Sequence, residues 1–160
     1  MSIQAGDKMP EGQLRQLTED GIEAVDVHSL FDGKKVALFA VPGAFTPTCA
    51  EAHVPSFLVN ADRLRERGIE RIYCVTANDP FVTAAWAKSL NAGDFIDFYS
   101  DGNGDYARAL GLELDLSVIG LGTRVTRFAA VIDDGTVTYL GVEPGREVSV
   151  SSGDAVLESL

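Results

Sequence analysis

In the stretch "VALFAVPGAFTPTCAEAHVPSFL", residues 36 to 58, Pro42, Thr46 and Cys49 stand close together, and His53 follows four positions after the cysteine. A cysteine reacts as its thiolate, and an unperturbed thiol, with a pKa of about 8.5, is mostly protonated at neutral pH. Three local features would help it react. A helix pattern starts at Cys49, and the unpaired N–H groups of a helix start favour an anion. The Thr46 hydroxyl can aim at the sulfur and then at an incoming oxygen. Pro42 and Pro47 stiffen the turn and wall off bulk water. Glu51 opposes these, because a nearby carboxylate disfavours a second anion, so a fixed cation should offset it. Arg124 and Arg127 in "GTRVTRF" are the candidates, and the local sequence does not choose between them.

The remaining chemistry-bearing residues read more plainly. Cys74 lies mid-strand in "IYCVTA", sharing one face with Ile72 and Thr76, which is a packing position. Cys49, Cys74, His28 and His53 follow no closed zinc spacing. His53 falls on the helical face of Cys49 and could pair with the thiolate, but a structural histidine is the expected role. A hydrolase built on Cys49 and His53 would lack an orienting group. His28 reads as a surface or capping residue, Trp86 as core or dimer contact, and Asp79 before Pro80 as a helix cap.

The elements that must position Cys49 follow from periodicity. "QLRQL" and "IEAVDV" form a hairpin closed at Asp20–Gly21, and "HSLFDGKK" is a helical turn ending at Gly33. "VALFAV" is a continuous apolar run, the mark of a strand covered on both faces. Beyond Cys49, Val54, Phe57, Leu58, Ala61 and Leu64 recur every three or four residues up to Gly68, an amphipathic helix that Pro55 should bend. Strands at "IYCVTA" and "FIDFYS" alternate with helices at "NDPFVTAAWAKSL" and "GDYARALGL". Then "RVTRFAAVIDDGTVTYLGVE" reads as a hairpin turning at Asp134–Gly135, with one strand over 125–133, and "SSGDAVLESL" as a closing helix. The order implies one α/β domain over residues 1–160: a thioredoxin-like fold, a mixed central sheet flanked by helices, with an N-terminal β-hairpin extension. Sites in such sheets lie beyond the carboxyl ends of the strands, where "PGAFTPT" falls.

Composition narrows the function classes. The 160 residues are 46% apolar, enough for a core, and 13 Lys and Arg against 24 Asp and Glu give a formal charge of −11. Arg63, Arg65 and Arg67 alternate with acidic neighbours, so no basic surface for nucleic acid is expected. "MSIQAGDKMPEGQL" lacks a signal-peptide pattern and no apolar run approaches membrane-spanning length, so a reducing cytoplasmic setting is expected, with no membrane partner.

The chain resembles the peroxiredoxins. Pro42, Thr46 and Cys49 match their P-x-x-x-T-x-x-C signature, and "VPGAFTPTC" is similar to the type II, peroxiredoxin-5-like subgroup. The likeness continues through "HVPSF", "CVTANDPFVTAAWAKS", "DGNGDYARALGLELDL", "GLGTRVTRF" and "VSSGDAV", in order over nearly the whole chain. It implies that Cys49 is a peroxidatic nucleophile, oxidised to sulfenic acid by hydrogen peroxide or alkyl hydroperoxides. By the same resemblance Thr46 polarises the peroxide, Pro42 shields the sulfenate, and the family's active-site arginine falls on Arg127. "GREVSVSSGDAVLESL" holds no cysteine, unlike the C-terminal region of mammalian members. Plant and bacterial members with cysteines spaced as Cys49 and Cys74 imply glutaredoxin and glutathione as reductant, thioredoxin second, and a homodimer. No metal, haem or flavin cofactor is implied. A glutathione-peroxidase-like reading would need Gln and Trp partners where Thr46 and Arg127 stand. The alternative outside enzymes is a peroxide-sensing redox or interaction module in which Cys49 oxidises once per chain.

Overall fold

The computed structural model of the chain describes residues 2–160. A seven-stranded sheet is its spine, built from β1 (Gln13–Thr18), β2 (Gly21–Asp26), β3 (Lys35–Val41), β4 (Arg71–Thr76), β5 (Asp97–Ser100), β8 (Phe128–Asp133) and β9 (Thr136–Val142), in the order β2-β1-β5-β4-β3-β8-β9. The strands β3, β4 and β5 run parallel, and the outer pairings are antiparallel. This mixed sheet with helices on both faces is the expected thioredoxin-like α/β arrangement. The N-terminal hairpin joins the sheet edge itself, Arg15 pairing with Ser100.

The period-2 geometry of strands splits each apolar run between two cores. On β3, Val36, Leu38 and Ala40 face one cluster while Ala37, Phe39 and Val41 face the other. The first cluster is capped by α1 (Val27–Phe31) and α4 (Asp105–Leu110), through Phe31, Tyr106 and Leu110. The second is capped by α2 (Val54–Glu66), α3 (Pro80–Ser89) and α5 (Gly153–Glu158), through Phe57, Leu64, Trp86 and Val156. Trp86 is therefore core, edge-on to Phe98. Asp79 caps α3 by accepting from the Val82 N–H, and Ser152 caps α5 by accepting from Ala155.

Two expectations are corrected. The strand expected over 125–133 is broken: β7 (Thr123–Val125) pairs instead with β6 (Glu113–Asp115) in a separate two-stranded ribbon, and β8 begins only at Phe128. The Thr126 N–H turns to the Leu112 carbonyl, and Arg127 is freed from strand pairing on that side. The helix after Cys49 is not a single bent α-helix either. Its first turn, Cys49–His53, is a wide π-helical turn in which the Val54 N–H reaches the Cys49 carbonyl, and α2 starts with Pro55 in its first turn. A proline lacks the N–H that a continuous α-helix would need there, so the chain widens before it.

Candidate active site

The site forms where β3 ends. Val41 runs into Pro42–Thr48, a loop held by two bonds from outside and one within. The Ala44 N–H donates to Asn78 Oδ1 at 2.7 Å, Arg124 Nη1 donates to the Pro42 carbonyl at 3.2 Å, and Thr46 Oγ1 donates to the Gly43 carbonyl at 2.7 Å. Arg124 also donates Nε to the Leu121 carbonyl, stitching the loop to the segment before β7. Glycine fits closely at 43: a Cβ there would lie 3.0 Å from the Thr46 methyl and 3.4 Å from Arg124 Nη1, so a larger residue would press on both side chains. Phe45 adopts a left-handed φ of 60°, a cost tolerated where the surroundings over-determine the loop.

Cys49 sits at the head of the π-helical turn and is fully buried among Val41, Val54 and Phe57 of the second core. Its sulfur accepts a hydrogen bond from Arg127 Nη2 at 3.1 Å. Arg127, itself 6% exposed, turns its other arm to His53, Nη1 donating to Nδ1 at 2.8 Å. His53 in turn donates from Nε2 to the Ser151 carbonyl at 2.8 Å. Burial, reinforced by the charge of Arg127, pushes the His53 pKa down to about 3, so the imidazole is neutral. Glu143 braces the segment carrying Ser151. Its carboxylate accepts from the backbone and hydroxyl groups of both Ser149 and Ser151. Burial acts to raise its pKa, but these hydrogen bonds outweigh it and hold the carboxyl below its ordinary value.

Cys49, Thr46, Pro42 and Arg127 all line one cavity of about 620 Å³, whose other wall is apolar, with Leu114, Leu116, Ile119 and Leu121. The geometry presents a buried sulfur beside a guanidinium and a hydroxyl whose oxygen still has lone pairs for a donor. A small molecule with an O–H and a polarisable bond could bridge them.

Comparison with known proteins decides the family. The Redoxin family model matches residues 4–157, and Peroxiredoxin-2B of Arabidopsis thaliana is 48% identical over 159 residues, spanning 99% of this chain and 98% of its own. The chain is a type II peroxiredoxin. Peroxiredoxin-2C of Oryza sativa subsp. japonica is 47% identical with the same coverage. Among solved structures, this peroxiredoxin is similar to reduced Prx3 in complex with H2O2 from Vibrio vulnificus, at 44% identity, a TM-score of 0.93 and 98% coverage of both chains. It is also similar to peroxiredoxin 5 from Alvinella pompejana, at 35% identity, a TM-score of 0.87 and coverage of 98% and 97%. Membership makes it a thiol-dependent peroxidase, an oxidoreductase.

In this peroxiredoxin the four residues singled out from sequence meet at one cavity, and the choice between the arginines is made by contact: Arg127 touches the sulfur, while Arg124 holds the loop. Thr46 lines the cavity, but its hydroxyl proton goes to Gly43 rather than to the sulfur. His53 contacts the arginine, not the thiol. Glu51, expected to oppose the thiolate, is exposed to solvent. Cys74 is buried on β4 between Phe39 and Phe98, and burial first, then Cys49, pushes its pKa well above the ordinary value. Both cysteines are free thiols. His28 lies on the surface near Glu11 and Asp32. Three supporting residues escaped the sequence reading: Asn78, whose only visible signal was its place beside a helix cap, and Ser151 with Glu143, which gave none. Among the described residues no group of three His, Cys, Asp or Glu side chains could hold a metal.

Proposed function

We propose that this peroxiredoxin reduces hydrogen peroxide and alkyl hydroperoxides through Cys49, with Thr46, Pro42 and Arg127 completing the catalytic set. The observation that carries the reading is the Arg127 Nη2 to Cys49 Sγ hydrogen bond at the base of a cavity with an apolar wall. The guanidinium stabilises the thiolate as it attacks the distal oxygen of ROOH. The S–O bond forms as the O–O bond breaks, and the departing RO⁻ takes a proton to leave as ROH, giving Cys49–SOH. Arg127 holds the charge as it moves from sulfur to oxygen, while the Thr46 oxygen, its own proton on the Gly43 carbonyl, accepts the peroxide O–H and orients it; both positions are fixed, so they cost no reorganisation. Pro42 shields the sulfenic acid from bulk water. The apolar wall supports organic hydroperoxides alongside H2O2, and a related structure 44% identical is described in complex with H2O2.

The proposed reductant is glutathione with glutaredoxin: one thiol condenses with Cys49–SOH to a mixed disulfide and water, and a second exchange returns the free thiol. Thioredoxin is the second choice. Burial and the raised pKa of Cys74 speak against its acting as an internal attacking thiol. A cytoplasmic setting and a homodimer complete the proposal, the latter supported by exposed Phe45 and Ile119 flanking the cavity. A steady-state assay of peroxide consumption with glutathione alone, with glutaredoxin and glutathione, and with thioredoxin tests it. The proposal expects sustained turnover, fastest with glutaredoxin. Consumption stopping near one equivalent of peroxide per chain with every donor would instead fit a sensor.

A further inference from the structure

His53 is buried at the site and touches Arg127, yet the chemistry above gives it no part. Its ring packs against Phe39 at 4.8 Å and Phe57 at 5.8 Å between centroids, so its orientation is fixed. Its protonation is fixed as well. The Ser151 carbonyl can only accept, so the ring hydrogen sits on Nε2 and leaves a bare lone pair on Nδ1. Arg127 Nη1 points at that lone pair from 2.8 Å. A guanidinium is planar and rigid, so fixing one arm fixes the direction of the other. The other arm is the one on the Cys49 sulfur. Behind the histidine, Glu143 holds Ser149 and Ser151 in place, so the C-terminal segment ahead of α5 backs the arrangement.

We propose that His53 is a positioning residue for the peroxidase reaction: its unprotonated Nδ1 anchors one arm of Arg127 and thereby aims the other at the Cys49 sulfur and the peroxide. The proposal rests on the reading of Cys49 and Arg127 as the reacting pair. Neutral imidazole suits the task, since a protonated ring would confront the guanidinium with a like charge, and burial holds its pKa near 3. A ring that merely filled space would not need either nitrogen.

Two substitutions separate these roles. His53→Phe keeps an aromatic ring against Phe39 and Phe57 but deletes both nitrogens. His53→Gln loses the ring but offers an amide oxygen to Arg127 and an amide N–H to the Ser151 carbonyl. The readout is the rapid-mixing rate of Cys49 oxidation by H2O2, beside the rate of Cys49 alkylation by iodoacetamide, which has no O–O bond to orient. The proposal expects about a 10²-fold loss of oxidation rate in His53→Phe, a smaller loss of alkylation, and oxidation within a few-fold of wild type in His53→Gln. An active His53→Phe with an impaired His53→Gln, equal loss in both, or wild-type rates in both would overturn it. Should His53→Phe fail to fold by circular dichroism, His53→Leu supplies the same deletion. Arg127→Gln runs alongside. If it oxidises at the wild-type rate, the Cys49–Arg127 reading fails; if it is impaired while His53→Phe is not, only the role of His53 fails.

Discussion

Arg127 and Cys49, 78 residues apart in sequence, meet at 3.1 Å between guanidinium and sulfur, in a core position closed to solvent except through one cavity. Arg127 lies in the short break between β7 and β8. There its carbonyl accepts from the Glu143 N–H, and its side chain turns inward to the sulfur.

Replacing Arg127 with lysine tests the two-armed geometry. A single ammonium cannot serve both His53 and Cys49 as the fork does. Arg127→Lys should lower kcat/KM for peroxide by about 10²-fold, measured in the coupled steady-state assay. Near-normal activity would mean that charge alone suffices.

Thr46 is predicted to matter through its oxygen. Thr46→Ser keeps the hydroxyl that donates to Gly43 and should retain most activity. Thr46→Val keeps the shape and should lose about 10²-fold in kcat/KM. Equal activity in the two would remove Thr46 from the reacting set.

Cys74 is predicted to be dispensable for turnover. Cys74→Ser should sustain peroxide consumption with glutathione and glutaredoxin. Because the hydroxyl would be buried between Phe39 and Phe98, chemical denaturation should show a stability loss of about 1–3 kcal/mol. Total loss of turnover in a folded variant would make Cys74 the resolving thiol.

His53 should make the fold acid-sensitive. Its pKa is about 3 when folded and about 6.5 when unfolded, so between these values the unfolded chain binds a proton that the native ring refuses. Stability is therefore full above about pH 6.5 and falls as pH drops toward 3, by on the order of several kcal/mol. The depressed pKa of Glu143 acts in the same direction at lower pH. In His53→Gln the slope of stability against pH across this window should flatten, as measured by urea unfolding at stepped pH. An unchanged slope would show that the folded ring takes up a proton.

The strands and the reactive elbow were legible because their signals are local. The run "VALFAV" reads as a doubly covered strand, and two prolines before a lone cysteine mark a turn. The break before Phe128 was not legible, since "RVTRFAAV" contains no turn residue; it goes with pairing to a distant segment, β7 joining β6 and the Thr126 N–H going to the Leu112 carbonyl. The π-helical turn was equally hidden. Over the five residues Cys49–His53, its periodicity cannot be told from that of an α-helix. The pairing of His53 with Arg127 spans 74 residues and depends on which sheet faces meet, so a helical wheel offered only the thiol as its partner.

The account stands most directly on the fate of the thiol at position 49. Steady-state peroxide consumption by Cys49→Ser, with glutaredoxin and glutathione in excess and native folding verified by circular dichroism, should fall to the protein-free background. Residual consumption above a few per cent of the wild-type rate would place the nucleophile elsewhere and contradict it.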